Sequence, residues 1–146
     1  MSQTSQTIQW NDTVEFTFPV VGGQVIKVYD GDTITIASRL PFENSPIYRL
    51  HVRLHGIDTP EIKGKTEDEK LSAKRARDAL SSLILNKQVR LENVKNEKYG
   101  RILADVYLED IHLNTWMIES RYAVKYGGGK KTSPSSWTEY YHSGNV

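Results

Sequence analysis

The 146-residue chain contains no cysteine, which excludes disulfides and thiolate metal sites and is compatible with a reducing interior. It has no apolar run near the roughly 20 residues needed to span a bilayer. The N-terminus, MSQTSQTIQWNDTVEF, has neither the basic start nor the apolar stretch of a signal peptide. The expectation is an intracellular protein with no membrane partner. An excess of one charge is absent too, since 19 Lys and Arg stand against 18 Asp and Glu, for a formal net charge of +1. Any phosphate binding must therefore come from local placement of basic residues. No internal repeat is present.

This length suits one domain with one core. Residues 1–8 are polar and read as a mobile tail, and Val14, Phe16 and Phe18 alternate with polar neighbours as in a short strand. Pro19 and Gly22-Gly23 break that segment. Strands follow at Val25–Tyr29, Thr33–Ala37 and Tyr48–Ile57. From Thr66 the period changes to that of a helix, with Thr66 and Glu69 at capping-box spacing and Leu71, Ala76, Ala79, Leu80, Leu83 and Ile84 on one face as far as Asn86. Val89–Asn93 and Ile102–Leu108 read as two more strands. Asn114 is a candidate cap for a short helix ending at Ser120. A linker over Gly127–Lys131 leads to Ser133-Pro134, a cap and first-turn pair for a final helix carrying Trp137, Tyr140 and Tyr141. The pattern predicts a mainly β fold, a five-stranded OB-fold barrel with about three α-helices. An irregular α+β domain is the alternative. The expected divisions are an N-terminal extension (1–20), the barrel domain (21–126) and a C-terminal linker with a short helix (127–146).

Asp30-Gly31 between two β-branched runs favours a two-residue hairpin turn, with Gly31 supplying a positive φ. The turn does not account for Asp32, which is placed at the start of the returning strand, where a charged residue is a poor strand former. A second acidic stretch, Ile57-Asp58-Thr59-Pro60-Glu61, follows the third strand, and Pro60 keeps it extended. Two strand-end carboxylates, Asp32 and Asp58, suit a hard cation that prefers oxygen ligands. Taken alone, Asp58-Thr59-Pro60 reads first as a turn and Asp32 as a surface charge. Arg53 precedes Asp58, and Lys98-Tyr99-Gly100-Arg101 precedes the fifth strand. A cation, a spare carboxylate and two planar guanidiniums are the parts that phosphodiester hydrolysis requires.

Taken together and in order, Asp30-Gly31-Asp32-Thr33, Arg53-Leu54, Gly56-Ile57-Asp58-Thr59-Pro60-Glu61 and Lys98-Tyr99-Gly100-Arg101 closely resemble the staphylococcal nuclease (thermonuclease) family. The resemblance runs from about residue 25 to residue 126 and includes Leu113-Asn114 through Arg121-Tyr122-Ala123. It implies an OB barrel and a calcium-dependent nuclease that cleaves DNA and RNA with little sequence specificity, leaving 3′-phosphates. By matched position it makes Asp32, Asp58 and the Thr59 carbonyl ligands of one calcium ion. Arg53 and Arg101 would clamp the phosphate and Glu61 would orient or deprotonate water. Lys98 and Tyr99 would meet the terminal phosphate, joined by Tyr126, where the spacing departs from the family's. Arg121 stands where the family often has glycine, implying a strained left-handed helix end.

Several features have plainer readings. His51 and His55 would suggest zinc only with a third ligand; otherwise they are partly exposed strand residues. Lys70, Lys74, Arg75 and Arg77 read as a solvated helix face, and the C-terminal aromatics as docking onto the barrel. A monomer acting on single-stranded DNA or RNA is expected. A silent module binding nucleic acid or protein is the competing class, disfavoured because Asp32, Asp58, Glu61, Arg53 and Arg101 are all present. Two carboxylates and a carbonyl imply weak calcium affinity, on the order of 10⁻⁴ to 10⁻³ M, in tension with an intracellular location.

Overall fold

In the computed structural model, residues 6–127 and 133–145 are described. The first residues of the expected tail, and Gly128–Lys131 of the expected linker, lie outside them. Strands β1 (Gly22–Asp30), β2 (Thr33–Arg39) and β3 (Ile47–Leu54) form an antiparallel meander. The two-residue β4 (Ile57–Asp58) leads to helix α1 (Glu67–Ile84), followed by β5 (Gln88–Asn96), β6 (Ile102–Leu108) and the short β7 (Ile111–His112). Helix α2 (Leu113–Glu119), the short β8 (Val124–Lys125) and helix α3 (Trp137–Ser143) complete the chain.

The sheet runs β3-β2-β1-β5-β6-β7 and closes on itself where β3 pairs in parallel with β6. Five strands thus make the expected closed OB-type barrel, with three helices around it. Along β6, Ile102, Ala104, Val106 and Leu108 turn inward at alternate positions. They meet Val25, Ile34, Ile36, Val52 and Leu54 from the meander, Leu80 and Ile84 from α1, and Leu113 and Met117 from α2 in one core.

Several local expectations are corrected. Val14 and Phe16 are exposed and residues 13–21 form no strand. Their alternation is strand-like, but β1 already pairs with β2 and β5, and Phe16 is tethered by its carbonyl accepting from Asn96 Nδ2 and by a T-shaped contact of its ring with that of Phe18. The third strand ends at Leu54 because Gly56, at φ 82°, turns the chain before β4. Thr66 does cap α1, its side chain accepting from Glu69 N at 3.0 Å. Leu71, however, is exposed, and the buried face is Ser72, Ala73, Ala76, Leu80 and Ile84. Ser136 rather than Ser133 caps α3, accepting from Glu139 N.

Asn114 caps nothing. It is buried within α2, where its Oδ1 accepts from Val106 N at 2.9 Å and its Nδ2 donates to the His55 and Ala104 carbonyls. Arg121 does adopt the left-handed conformation, at φ 65°. The aromatic tail docks as expected: Trp137 and Tyr140 are buried, Tyr140 donates to the Ala123 carbonyl at 2.7 Å, and Tyr141 stacks on Tyr122. Arg75 packs over the Tyr141 ring, so the basic face of α1 is only partly solvated.

Candidate phosphodiester site

The β1–β2 hairpin turns on Gly31 and Asp32, since Asp30 pairs with Thr33. Asp32 therefore belongs to the turn and not to the strand, and Gly31 does not take the expected positive φ. The turn is held by a side chain: Asp30 Oδ1 accepts from Asp32 N at 3.1 Å, an Asx turn that does the work expected of the glycine conformation. Leu54 N donates to the Asp32 carbonyl at 2.8 Å, locking the turn to the end of β3. Thr33 pairs with Arg53, so Asp32 and Arg53 become neighbours.

Arg53 Nη2 lies 3.4 Å from Asp32 Oδ2 and 3.9 Å from Asp58 Oδ1, and all three residues are buried. One guanidinium thus bridges two carboxylates that burial would otherwise leave in mutual repulsion. Its Nη1 donates to the Leu54 carbonyl at 3.2 Å, and its Cζ lies 5.6 Å from the centre of the Tyr126 ring. Tyr126 is brought there by β8: Asp58 pairs with Val124, Ile57 with Lys125, and Tyr126 N donates to the Gly56 carbonyl at 2.9 Å. Burial pushes the Asp30 carboxyl up to about 7, and the neighbouring Asp32 charge adds to the rise.

A hollow of about 360 Å³ opens over these groups, lined by Asp30, Asp32, Arg53, Glu61 and Arg101 together with Tyr29, Thr33, Ile62 and Lys63. Glu61 is exposed, and its segment is braced from α1, where Glu69 Oε2 accepts from Glu61 N at 3.4 Å and Oε1 from Lys65 N at 3.2 Å. Arg101 enters from the far side behind a tight turn, with Tyr99 at φ 67° and Gly100 at φ 75°. Its Nη2 is ion-paired with Glu97, whose N donates to the Arg101 carbonyl. Tyr99 is 94% exposed and lines an adjoining hollow, whereas the exposed Lys98 lines neither.

The fold therefore brings Asp32, Arg53, Glu61 and Arg101 to one hollow, sets Asp58, Thr59 and Tyr126 beside it, and leaves Lys98 at its margin. Asp30, Glu97 and Glu69 were not anticipated here. Asp30 was absorbed by its turn role, and Glu97 carried only the weak signal of lying four residues before Arg101. His51 and His55 are exposed and line different hollows.

Among the described residues, no group of three or more His, Asp or Glu side chains is placed to hold a metal ion. The smaller expected set is oxygen-only: Asp32 and Asp58 with the Thr59 backbone. Thr59 is buried, and its hydroxyl oxygen has no hydrogen-bond partner among the described residues. Two neighbouring buried carboxylates suit a hard cation of modest affinity.

Residues 51–141 match the family model described as staphylococcal nuclease homologue. The chain is 31% identical over 116 residues to an uncharacterized endonuclease of Escherichia coli, covering 76% of this chain and 67% of that protein. It is 36% identical over 75 residues to the probable endonuclease LCL3 of Phaeosphaeria nodorum, covering 51% of this chain and 25% of the relative. An uncharacterized protein of Bacillus anthracis is 34% identical over 107 residues, covering 71% of this chain and 47% of the other. The chain thus spans a quarter to two thirds of the length of these relatives. With the closed barrel and the ordered acidic and basic motifs, these matches place the chain in the staphylococcal nuclease homologue family.

Proposed function

We propose that the chain is a calcium-dependent nuclease that hydrolyses phosphodiester bonds in DNA and RNA, with little sequence specificity and a preference for single strands. The observation that carries this reading is the single hollow where Asp32, Arg53, Glu61 and Arg101 converge. Two relatives named as endonucleases support it.

Calcium held by Asp32, Asp58 and the Thr59 carbonyl would neutralise a phosphate oxygen and draw electron density from phosphorus. Glu61, with its main chain braced by Glu69, takes a proton from the attacking water. The water oxygen bonds to phosphorus as the bond to the 5′-oxygen breaks, and the phosphate stays on the 3′-oxygen. Arg53 and Arg101 donate to the oxygens on which charge accumulates. Arg101 would turn from its Glu97 partner toward the phosphate, and Arg53 would turn toward it from Asp32 and Asp58. Tyr99 and Lys98 approach the neighbouring phosphate, and Tyr126 flanks Arg53.

The test incubates the purified chain with labelled single-stranded DNA and RNA in calcium, magnesium or chelator. Cleavage only in calcium, lost in Glu61→Ala and Arg101→Ala, is the expected result, with 3′-phosphate ends on the products. Binding without cleavage in every condition would favour a silent module. In calorimetry, Asp32→Ala should weaken calcium binding; unchanged binding would remove Asp32 from the ligand set.

A further inference from the structure

Beside the hollow just described lies a second one, of about 480 Å³, lined by Lys27, Tyr29, Thr33, Thr35, His51, Tyr99 and Arg101. Tyr29, Thr33 and Arg101 line both, so the two form one trough. Lys27, Tyr29, Thr35 and His51 have no part in the chemistry above. Their arrangement follows from strand register. Lys27 of β1 pairs with Thr35 of β2, and Thr35 pairs with His51 of β3, so the three form one row across the sheet. The next row toward the hairpin tip is Thr33 and Arg53. Two residues along a strand is about 6.7 Å, the scale of one nucleotide step in an extended strand.

The row has the chemistry of a nucleotide seat. The first hollow carries Asp30, Asp32 and Glu61, whereas the second has no carboxylate in its lining and contains Lys27 and Arg101. Lys27 Nζ lies 5.9 Å from the centre of the Tyr29 ring, which holds the ammonium over the trough. His51 is fixed by a 3.1 Å hydrogen bond between its Nδ1 and Thr35 Oγ1, giving an exposed flat ring with a set orientation. Tyr29 is 46% exposed and adds a second aromatic surface. A cation in register with the phosphate clamp and aromatic faces beside it are the elements by which single strands are bound without sequence readout. The outer face of strands 2 and 3 is also where OB barrels commonly bind oligonucleotides.

We infer that the row Lys27–Thr35–His51 is a subsite for the nucleotide next to the one being cleaved, with Lys27 on its phosphate and His51 and Tyr29 against its base. The inference rests on the proposed nuclease reading and extends it to substrate length. A polynucleotide that fills both hollows binds more tightly than one that fills the first alone, which would explain a preference for single strands.

The test measures anisotropy of labelled oligothymidylates, from dinucleotide to octanucleotide, on the whole chain in chelator, and their cleavage in calcium. Affinity should step up at the length that reaches the second hollow. In Lys27→Gln that step should be lost, and the salt dependence of binding should flatten by about 0.7 in the log–log slope, one phosphate contact on a single strand. Lys27→Arg should restore both, and His51→Ala should weaken the longer oligomers about fivefold. Both positions are exposed, so the variants should keep the wild-type circular dichroism. Cleavage with an unchanged length step and salt slope in Lys27→Gln overturns the subsite alone. Neither binding nor cleavage by the wild-type chain overturns the nuclease reading and the subsite with it.

Discussion

At Gly31 an added Cβ would lie 2.9 Å from Thr59 Cγ2 and 3.1 Å from both Ala76 Cβ and Met117 Cε. The hairpin tip is thus pressed against the metal-ligand candidate, α1 and α2 at once. Gly31→Ala should cost about 2 kcal/mol, as overpacking of a filled site does, measured by urea denaturation. A variant as stable as the wild type would show that the tip yields freely. Arg53 presents the opposite case, a charge whose removal exposes others. Arg53→Ala leaves Asp32 and Asp58 facing each other in the interior and should destabilise the calcium-free chain by about 3 kcal/mol. On the proposed reading calcium should recover part of that loss, raising the melting temperature of the variant more than that of the wild type.

At the level of elements, Asn114 shows how a short helix is fastened. One side chain meets the Val106 amide and the His55 and Ala104 carbonyls, tying α2 to β6 and to the turn before β4. Asn114→Ala strands these groups in the interior, and a loss of about 3 kcal/mol is expected from the desolvation of unpaired polar groups. Urea titration should show a lower midpoint with an unchanged slope. Asn114 lies in the expected helix but not as its cap, because a cap and a buried amide have the same local signature and differ only in what lies opposite. The five barrel strands and α1 were legible because their periodicity is local. The two-residue β4, β7 and β8 were not, since so short a strand has no period and exists only through its partner. Acidic and basic site residues could be named from their motifs, whereas Glu69 reaches the Glu61 amide only when the helix start packs back on that segment, and Asp30 and Glu97 make local contacts that no motif singles out.

Across the whole molecule, helix α3 is held by a carboxylate from the start of α1. Asp68 Oδ2 accepts from Trp137 N at 3.0 Å and Oδ1 from Thr138 N at 3.3 Å, so a distant side chain caps the C-terminal helix. The Thr138 side-chain hydrogen bond, reinforced by these amides, holds the Asp68 carboxyl below the usual carboxylate value. A depressed folded-state pKa contributes stability above the unfolded value of 3.8 and loses it as pH falls through the lower folded value. The helix should therefore loosen below about pH 4, seen as a shift of the Trp137 indole N–H resonance. Asp68→Asn should show a weakened dock already at neutral pH and little further acid dependence. An identical acid transition in that variant would assign it to another group.

Barrel closure also bears on how the chain becomes competent. The parallel seam joins Val52–Leu54 to Ile102–Ala104, residues about fifty apart in sequence, so it is a long-range pairing that no single local segment forms by itself. Arg53 sits on one side of that seam and Arg101 directly precedes the other. The two guanidiniums therefore meet only when this seam is shut, and a chain with the seam open carries the acids without the clamp. A phosphate ligand that needs both arginines would bind the closed barrel alone and act as a latch on the seam, opposing its opening.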